Sequence, residues 1–197
     1  MEKTLKQTDS DCLKVVLFGP ESTGKSTLAA ELAVYYNTIW VKEYMRDYLQ
    51  HKWNVEKAKC TYDDLLPIAE GQMQAENQSV AVANDILICD TNLLELKVYA
   101  QVYYNGKVPD AIRKFALQNK YDLYLLTDVD VPWVADDLRD KPQERQEMFE
   151  EFRNELETQN LPYVLINGDR VTRLNRAIKA IHKLIKAYNS ENNRQGH

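Results

Sequence analysis

Cysteine is scarce in this chain. Cys12, Cys60 and Cys89 are the three present, an odd number with no C-x-x-C pair. That excludes a disulfide framework or a thiolate zinc site and points to reduced thiols in a cytoplasmic protein. Histidine is as sparse: His51, His182 and His197 share no metal-ligand spacing and read as surface or packed neutral imidazoles. No apolar run is long enough to span a bilayer, and residues 1–11 lack the apolar stretch of a secretory signal. No membrane association is expected.

Positive charge is also short. Against 30 Asp and Glu stand 25 Lys and Arg, a formal net charge of −5. A nucleic-acid surface draws its affinity from clustered cations, so no nucleic-acid partner is expected, and a cationic small molecule suits the balance better. The 197 residues fit one α/β domain, taken as 12–188 between polar termini 1–11 and 189–197.

Against these absences stands one specific motif. Gly19-Pro20-Glu21-Ser22-Thr23-Gly24-Lys25-Ser26 matches G-x-x-x-x-G-K-[ST], the phosphate-binding P-loop. An apolar run, 15–18, delivers it, and helix-forming residues from Thr27 onward leave it. Backbone N–H groups and a helix N-terminus then converge on phosphate oxygens. Gly19 and Gly24 let the backbone curl without a Cβ in the way. Lys25 is expected to reach the β- and γ-phosphates and the Ser26 hydroxyl to ligate Mg²⁺. Glu21, Ser22, Thr23 and Thr27 complete the expected nucleotide-binding set, and the expected cofactors are ATP and Mg²⁺.

Short β-type runs alternate with helical segments, which implies a parallel sheet covered on both faces. The strands are placed at 13–18, 38–41, 86–89, 123–126 and 163–166, and the helices at 25–36, 63–84, after Asp90 through Tyr104, 109–120, 143–159 and from Asp169 onward. Residues 43–59 read as a charged segment, and the tail from Asn189 as polar and frayed. The fold class is therefore α/β, a P-loop NTPase fold with a five-stranded parallel sheet.

A GTPase would pair an N-K-x-D base-reading motif with a D-x-x-G switch, and that pair is not present. A small-molecule kinase needs a carboxylate at a strand end, an acceptor pocket and arginines that close over the phosphoryl group. Asp90 ends the third strand, where ligands of open parallel sheets bind. It can hold Mg²⁺-bound water or take the proton of an acceptor hydroxyl. Glu43 occupies the same place after the second strand, with Arg46 one helical turn on. Arg139 and Arg145 lie after the fourth strand in a segment suited to a lid.

Taken together, G-P-E-S-T-G-K-S-T-L (19–28), E-Y-M-R-D (43–47), Y-D-D-L-L-P-I-A-E-G-Q (62–72), D-T-N (90–92) and W-V-A-D-D-L-R (133–139), followed by Glu144-Arg145-Gln146, resemble the ribosylnicotinamide kinase domain of the NadR family over residues 13–185. The resemblance implies an adenylate-kinase-like sheet with the third strand beside the first. It also implies ATP-dependent phosphorylation of the 5′-hydroxyl of nicotinamide riboside to nicotinamide mononucleotide. Lys25, Asp90, Glu43 and Arg139 become the catalytic candidates, and Arg139 and Arg145 the nucleotide clamp. Trp40, Glu43, Tyr44, Arg46, Gln72, Asp90, Asn92 and Tyr99 become the acceptor candidates, with Ser26 and Asp90 for the metal. Glu43, Asp47 and Asp90 around an aromatic face suit a pyridinium cation by charge and cation–π attraction. Two positions depart from the family: Lys42 stands where a Trp is frequent, and Asn92 where D-T-D is usual. Bifunctional relatives add a nucleotidyltransferase with an H-x-G-H signature that this chain lacks, so a stand-alone kinase supplying a separate adenylyltransferase is expected. A kinase for another nucleoside or small alcohol, and a non-catalytic ATP-binding switch, stay open as alternatives. So do the choice of ATP or GTP, which carboxylate is the base, and the oligomeric state, a homo-oligomer included.

Overall fold

The computed structural model describes residues 2–134, 138 and 142–195. Five strands, β1 (Leu13–Phe18), β2 (Trp40–Val41), β3 (Ile86–Asp90), β4 (Leu123–Thr127) and β5 (Tyr163–Ile166), pair in parallel in the order β2-β3-β1-β4-β5. Helices α1 (Lys25–Tyr35), α2 (Tyr44–Glu56), α3 (Leu65–Val80), α4 (Leu93–Tyr103), α5 (Asp110–Gln118), α6 (Arg145–Thr158) and α7 (Arg170–Gln195) cover it. The expected α/β class is borne out, with the third strand beside the first.

Both faces of the central strands are covered, so β1 is apolar at five of six positions and buried at all six. Its alternate side chains feed two cores. Leu13, Val15 and Leu17 join Leu28, Leu32, Ala177 and Ile181 beneath α1 and α7. Val16 and Phe18 join residues of α3, α4, α5 and α6 on the other side. Phe18 anchors that side, with Tyr124 and Phe152 edge-on at ring separations of 5.3 and 4.9 Å.

Four segments differ from the sequence expectation. The second strand is only two residues long. Thr38 is instead a connector, its N–H on Ala33 O and its hydroxyl donating to Ile86 O at 2.7 Å. The charged segment 43–59 is mostly helix α2, which has no fully buried residue but lays Met45, Tyr48 and Leu49 against the core. Polar residues 189–195 continue α7 without a break. Leu5, within the stretch read as a polar terminus, is fully buried, and Gln7 and Asn119 tie that stretch down by reciprocal hydrogen bonds with the neighbouring backbone.

Two contacts hold the elements that carry the strand-end loops. At the α2–α3 crossing, Gly71 lies under the Tyr44 ring, where an added Cβ would come within 2.2 Å of ring carbon. The Tyr44 N–H donates to Gln72 Oε1 at 2.8 Å. On the opposite side, the buried Arg173 of α7 donates to Gly168 O (2.9 Å), Thr23 O (2.8 Å) and Asp128 O (3.0 Å), and pairs with Asp130. One guanidinium therefore stitches the turns after β1, β4 and β5 together, a fork geometry that lysine cannot reproduce.

Gly71→Ala is expected to destabilise the protein by about 1–3 kcal/mol through overpacking against Tyr44, seen as a lower midpoint in urea. Arg173→Ala removes a buried charge partner and leaves three loop carbonyls unmatched. A loss of about 3 kcal/mol is expected, and Arg173→Lys is expected to recover less than half of it in the same titration.

Candidate nucleotide and acceptor site

The site lies along the C-terminal edge of the sheet, where the turn after β1 and the ends of β2 and β3 meet. Gly19 has φ +137°, and a Cβ there would sit 2.8 Å from both the backbone oxygen and the hydroxyl of Thr127. The close approach of loop to β4 therefore needs glycine. Gly24, at φ +81°, turns the chain into α1. Thr23 points inward rather than toward the cleft centre: its hydroxyl donates to Pro20 O at 2.7 Å and lies 2.7 Å from the Thr127 hydroxyl. Ser26 and Thr27 are exposed on the first turn of α1.

A cavity of about 320 Å³ opens beside the loop. Residues 21–27 form one end; Glu43, Met45, Arg46, Leu49 and Trp53 of the α2 segment and Leu96, Tyr99, Tyr103 and Tyr104 of the α4 side form the other. Ala58, Lys59, Cys60, Leu65, Ala100 and Leu138 complete the walls. Apolar and aromatic walls with a few charges at one end are the usual build of a small-molecule site.

At the junction of the two ends stand Lys25 and Glu43; Asp90 is not on the cavity wall but lies behind it, acting on both and on the Ser26 hydroxyl. Asp90 is buried, with one oxygen, Oδ1, lacking a hydrogen-bond partner among the described residues. Burial raises its pKa to about 6; the Glu43 charge adds to the rise, while Lys25 and the Ser26 hydroxyl oppose it. A hard carboxylate oxygen beside a serine hydroxyl fits magnesium, which takes few protein ligands and keeps the rest of its octahedron for phosphate and water. Lys25 is buried among Glu95, Glu43 and Asp90, whose charges outweigh the burial cost and raise its pKa.

Of the acceptor candidates, Glu43, Arg46 and Tyr99 line the cavity. Gln72 and Asn92 line a small annex continuous with it through Glu43, Met45, Leu96 and Tyr99. Asn92 is engaged structurally. Its Oδ1 caps α4 by accepting from the N–H groups of Leu94 and Glu95, both at 3.1 Å, and its Nδ2 donates to the Tyr124 hydroxyl. This double use explains an amide where the family has a carboxylate, since only the amide also donates.

Trp40 and Tyr44 are not cavity residues. Trp40 packs on the α1/α7 side of the sheet with Lys42 above its ring, and Tyr44 packs on Gly71. Asp47 is exposed outside the walls. The tryptophan in the cavity is Trp53, which is not among the acceptor candidates; it lies two turns along α2 from Arg46, in a segment whose charge gives no sign of a cavity-facing aromatic.

Arg145 opens α6 and turns back over the loop, donating to Ser22 O and Val131 O at 3.1 Å with its guanidinium over the Trp133 ring. The Val134 N–H meets the Ser22 hydroxyl at 2.9 Å. The segment after β4 thus docks on the P-loop. Arg139, and with it Asp136, Asp137 and Asp140, lies outside the described residues. Asn119-Lys120-Tyr121-Asp122 spells N-K-x-D, yet it precedes β4, at the edge of the sheet away from the loop. There Asn119 Nδ2 donates to Leu5 O, and Asp122 accepts from the Lys14 N–H at 2.7 Å, so both side chains serve the fold. That string reads no guanine at the P-loop.

Comparison with known proteins agrees with this geometry. A family described as an AAA domain matches residues 14–173. The trifunctional NAD biosynthesis/regulator protein NadR of Escherichia coli is 29% identical over 174 residues, 87% of this chain and 42% of its own. That of Salmonella typhimurium is 33% identical over 125 residues, 64% of this chain and 30% of its own. The chain thus spans less than half the length of these relatives. A crystal structure of NadR protein in complex with NR superposes with TM-score 0.69 at 26% identity, covering 88% of this chain and 51% of that one. A deoxyadenosine kinase from M. mycoides shares the fold at TM-score 0.61 and 15% identity, over 87% of this chain and all of that one. The chain belongs to the P-loop family described as an AAA domain, and it is homologous within that family to the matching region of NadR.

Proposed function

We propose that the protein is an ATP-dependent kinase that phosphorylates the 5′-hydroxyl of nicotinamide riboside to nicotinamide mononucleotide. The observation that carries this reading is a cleft running from the P-loop, past Lys25 and Glu43, into the aromatic end formed by Trp53, Tyr99, Tyr103 and Tyr104, with Asp90 set against Lys25, Glu43 and the Ser26 hydroxyl. Likeness to NadR supports the choice of acceptor.

The triphosphate lies along residues 19–27, its oxygens taking the loop N–H groups and the start of α1. Asp90 and Ser26 would hold magnesium, which when bound neutralises charge on the phosphates. The acceptor sugar sits at the junction, where Asp90 or Glu43 accepts the proton of the 5′-hydroxyl. The hydroxyl oxygen forms its bond to the γ-phosphorus as the bond to the β–γ bridging oxygen breaks, leaving ADP. Trp53 and the tyrosines supply π-faces to a planar cationic ring, and the carboxylates give that ring a negative surround. Arg145 and Arg139 close over the transferring group.

A second acceptor reading, another nucleoside, is favoured by one observation: Arg46 and Lys59 also line the cavity and set positive charge against a pyridinium. A panel of nucleosides with ATP separates the two, and no turnover with nicotinamide riboside beside turnover with another member would move the assignment there.

Asp90→Asn is expected to lower kcat by about 10²-fold or more. In the wild type, protonation of Asp90 removes the carboxylate needed for either role, so log kcat/KM should fall as pH drops through about 6. Trp53→Ala is expected to raise the acceptor KM by about tenfold, with the KM for ATP unchanged.

A further inference from the structure

Glu95 has no part in the chemistry above. It stands in the first turn of α4, buried, and reaches the P-loop from beneath. Its Oε2 accepts the Gly19 N–H at 3.3 Å, and its Oε1 lies 3.2 Å from Lys25 Nζ. The hydrogen bonds of that ammonium go to Gly19 O at 2.6 Å and Pro20 O at 3.0 Å. An ammonium has three donors. Two are spent on the loop's own carbonyls and the third side of the charge faces Glu95, so the side chain is folded back into the loop. It can serve phosphate oxygens only by leaving these partners.

We infer that Glu95 is a positioning residue that competes with the triphosphate for Lys25: nucleotide binding draws the ammonium from the Glu95 carboxyl to phosphate oxygens, and Glu95 takes up a proton from solvent in exchange. This rests on the reading of residues 19–27 as a triphosphate site.

Among the described residues, the counter-charge acting on Glu95 is that of Lys25. Facing it are Lys25 of α1, Glu43 ahead of α2, Asp90 at the end of β3, and the Tyr99 hydroxyl on its own helix. One cation serves three carboxyls. Burial already raises the Glu95 pKa to about 8, with Lys25 pulling the other way and Glu43 and Asp90 pushing further up. Removing Lys25 to an anionic ligand withdraws the lowering influence, so the pKa rises again. The sign of the linkage follows. Well below about 8, Glu95 carries its proton both before and after binding, and nothing is exchanged. Above it, the carboxylate must be protonated as nucleotide enters, so affinity falls with rising pH, by at most about tenfold per pH unit for one proton.

The test is calorimetric titration of the protein with magnesium and the non-hydrolysable analogue AMP-PNP, in buffers of different ionisation enthalpy. For wild type, net uptake approaching one proton is expected at about pH 9 and close to none at about pH 7, where Asp90 is already mostly ionised and Glu95 still mostly protonated. Affinity should fall about threefold or more between those values. Glu95→Gln keeps an acceptor for the Gly19 N–H; it should bind the analogue with no uptake at about pH 9 and a flat pH profile. Glu95→Asp keeps the titrating group and should retain uptake with a displaced midpoint. A merely structural carboxyl would alter stability without moving proton stoichiometry. Binding by wild type without uptake, or equal uptake by wild type and Glu95→Gln, overturns the inference. If Glu95→Gln does not fold, wild type and Glu95→Asp decide, and an unchanged midpoint in Glu95→Asp overturns it. Absence of any binding to folded wild type overturns the triphosphate reading itself, a result distinct from binding without uptake.

Discussion

One buried ammonium organises the centre of this molecule. Lys25 is held where the P-loop meets the sheet, and three carboxyls, from α4, from the start of α2 and from the end of β3, set its charge. In such a poorly solvated place each charge acts over its neighbours far more strongly than in water. The position of Lys25 is therefore tied to the protonation of Glu95 and Asp90. The loop that carries it is correspondingly over-determined: Gly19 against Thr127, Thr23 hydroxyl against Thr127 hydroxyl, and Arg173 on the Thr23 carbonyl. A loop that must present several N–H groups to one anion gains from being built in advance, since no reorganisation is then required when charge arrives.

The carboxyls around the lysine are not equivalent. Asp90 titrates near 6, Glu95 near 8. Both are raised chiefly by burial, but Asp90 also receives the hydroxyl of Ser26, itself a cavity residue, whereas Glu95 lies beneath the loop. Near neutral pH the first is mainly ionised and the second mainly protonated. Divergent environments of this kind divide acid and base duties between like residues. Here they leave one carboxylate behind the cavity wall and one neutral acid under the loop.

Much of this was legible from the chain. The G-x-x-x-x-G-K-[ST] string, placed between an apolar run and a helix-forming one, located the loop. The strand ends located Asp90 and Glu43, because in parallel sheets the C-terminal edge is where ligands gather. What stayed hidden had physical causes. Helix α2 is dense in charge and buries nothing completely, so neither apolar runs nor strong periodicity mark it; with it went Trp53. Trp40 carried a familiar residue type in a plausible neighbourhood, yet strand alternation sends it to the far face of the sheet. Glu95 and Arg173 matter through groups far off in sequence, Gly19, Thr23 and Asp130, and no local pattern announces such pairings.

The two ends of the cleft are mounted on different supports. The P-loop and Asp90 are carried by β1 and β3 within the sheet, while the opposite cavity wall is carried in part by α2, which follows a two-residue edge strand and rests on α3 through Tyr44, Gly71 and Gln72. Selection can therefore remodel the helical wall, swapping aromatic for polar faces, without disturbing the strand-borne apparatus that grips the donor. A scaffold divided in this way lets one side of a cavity diverge while the loop on the other side is inherited intact.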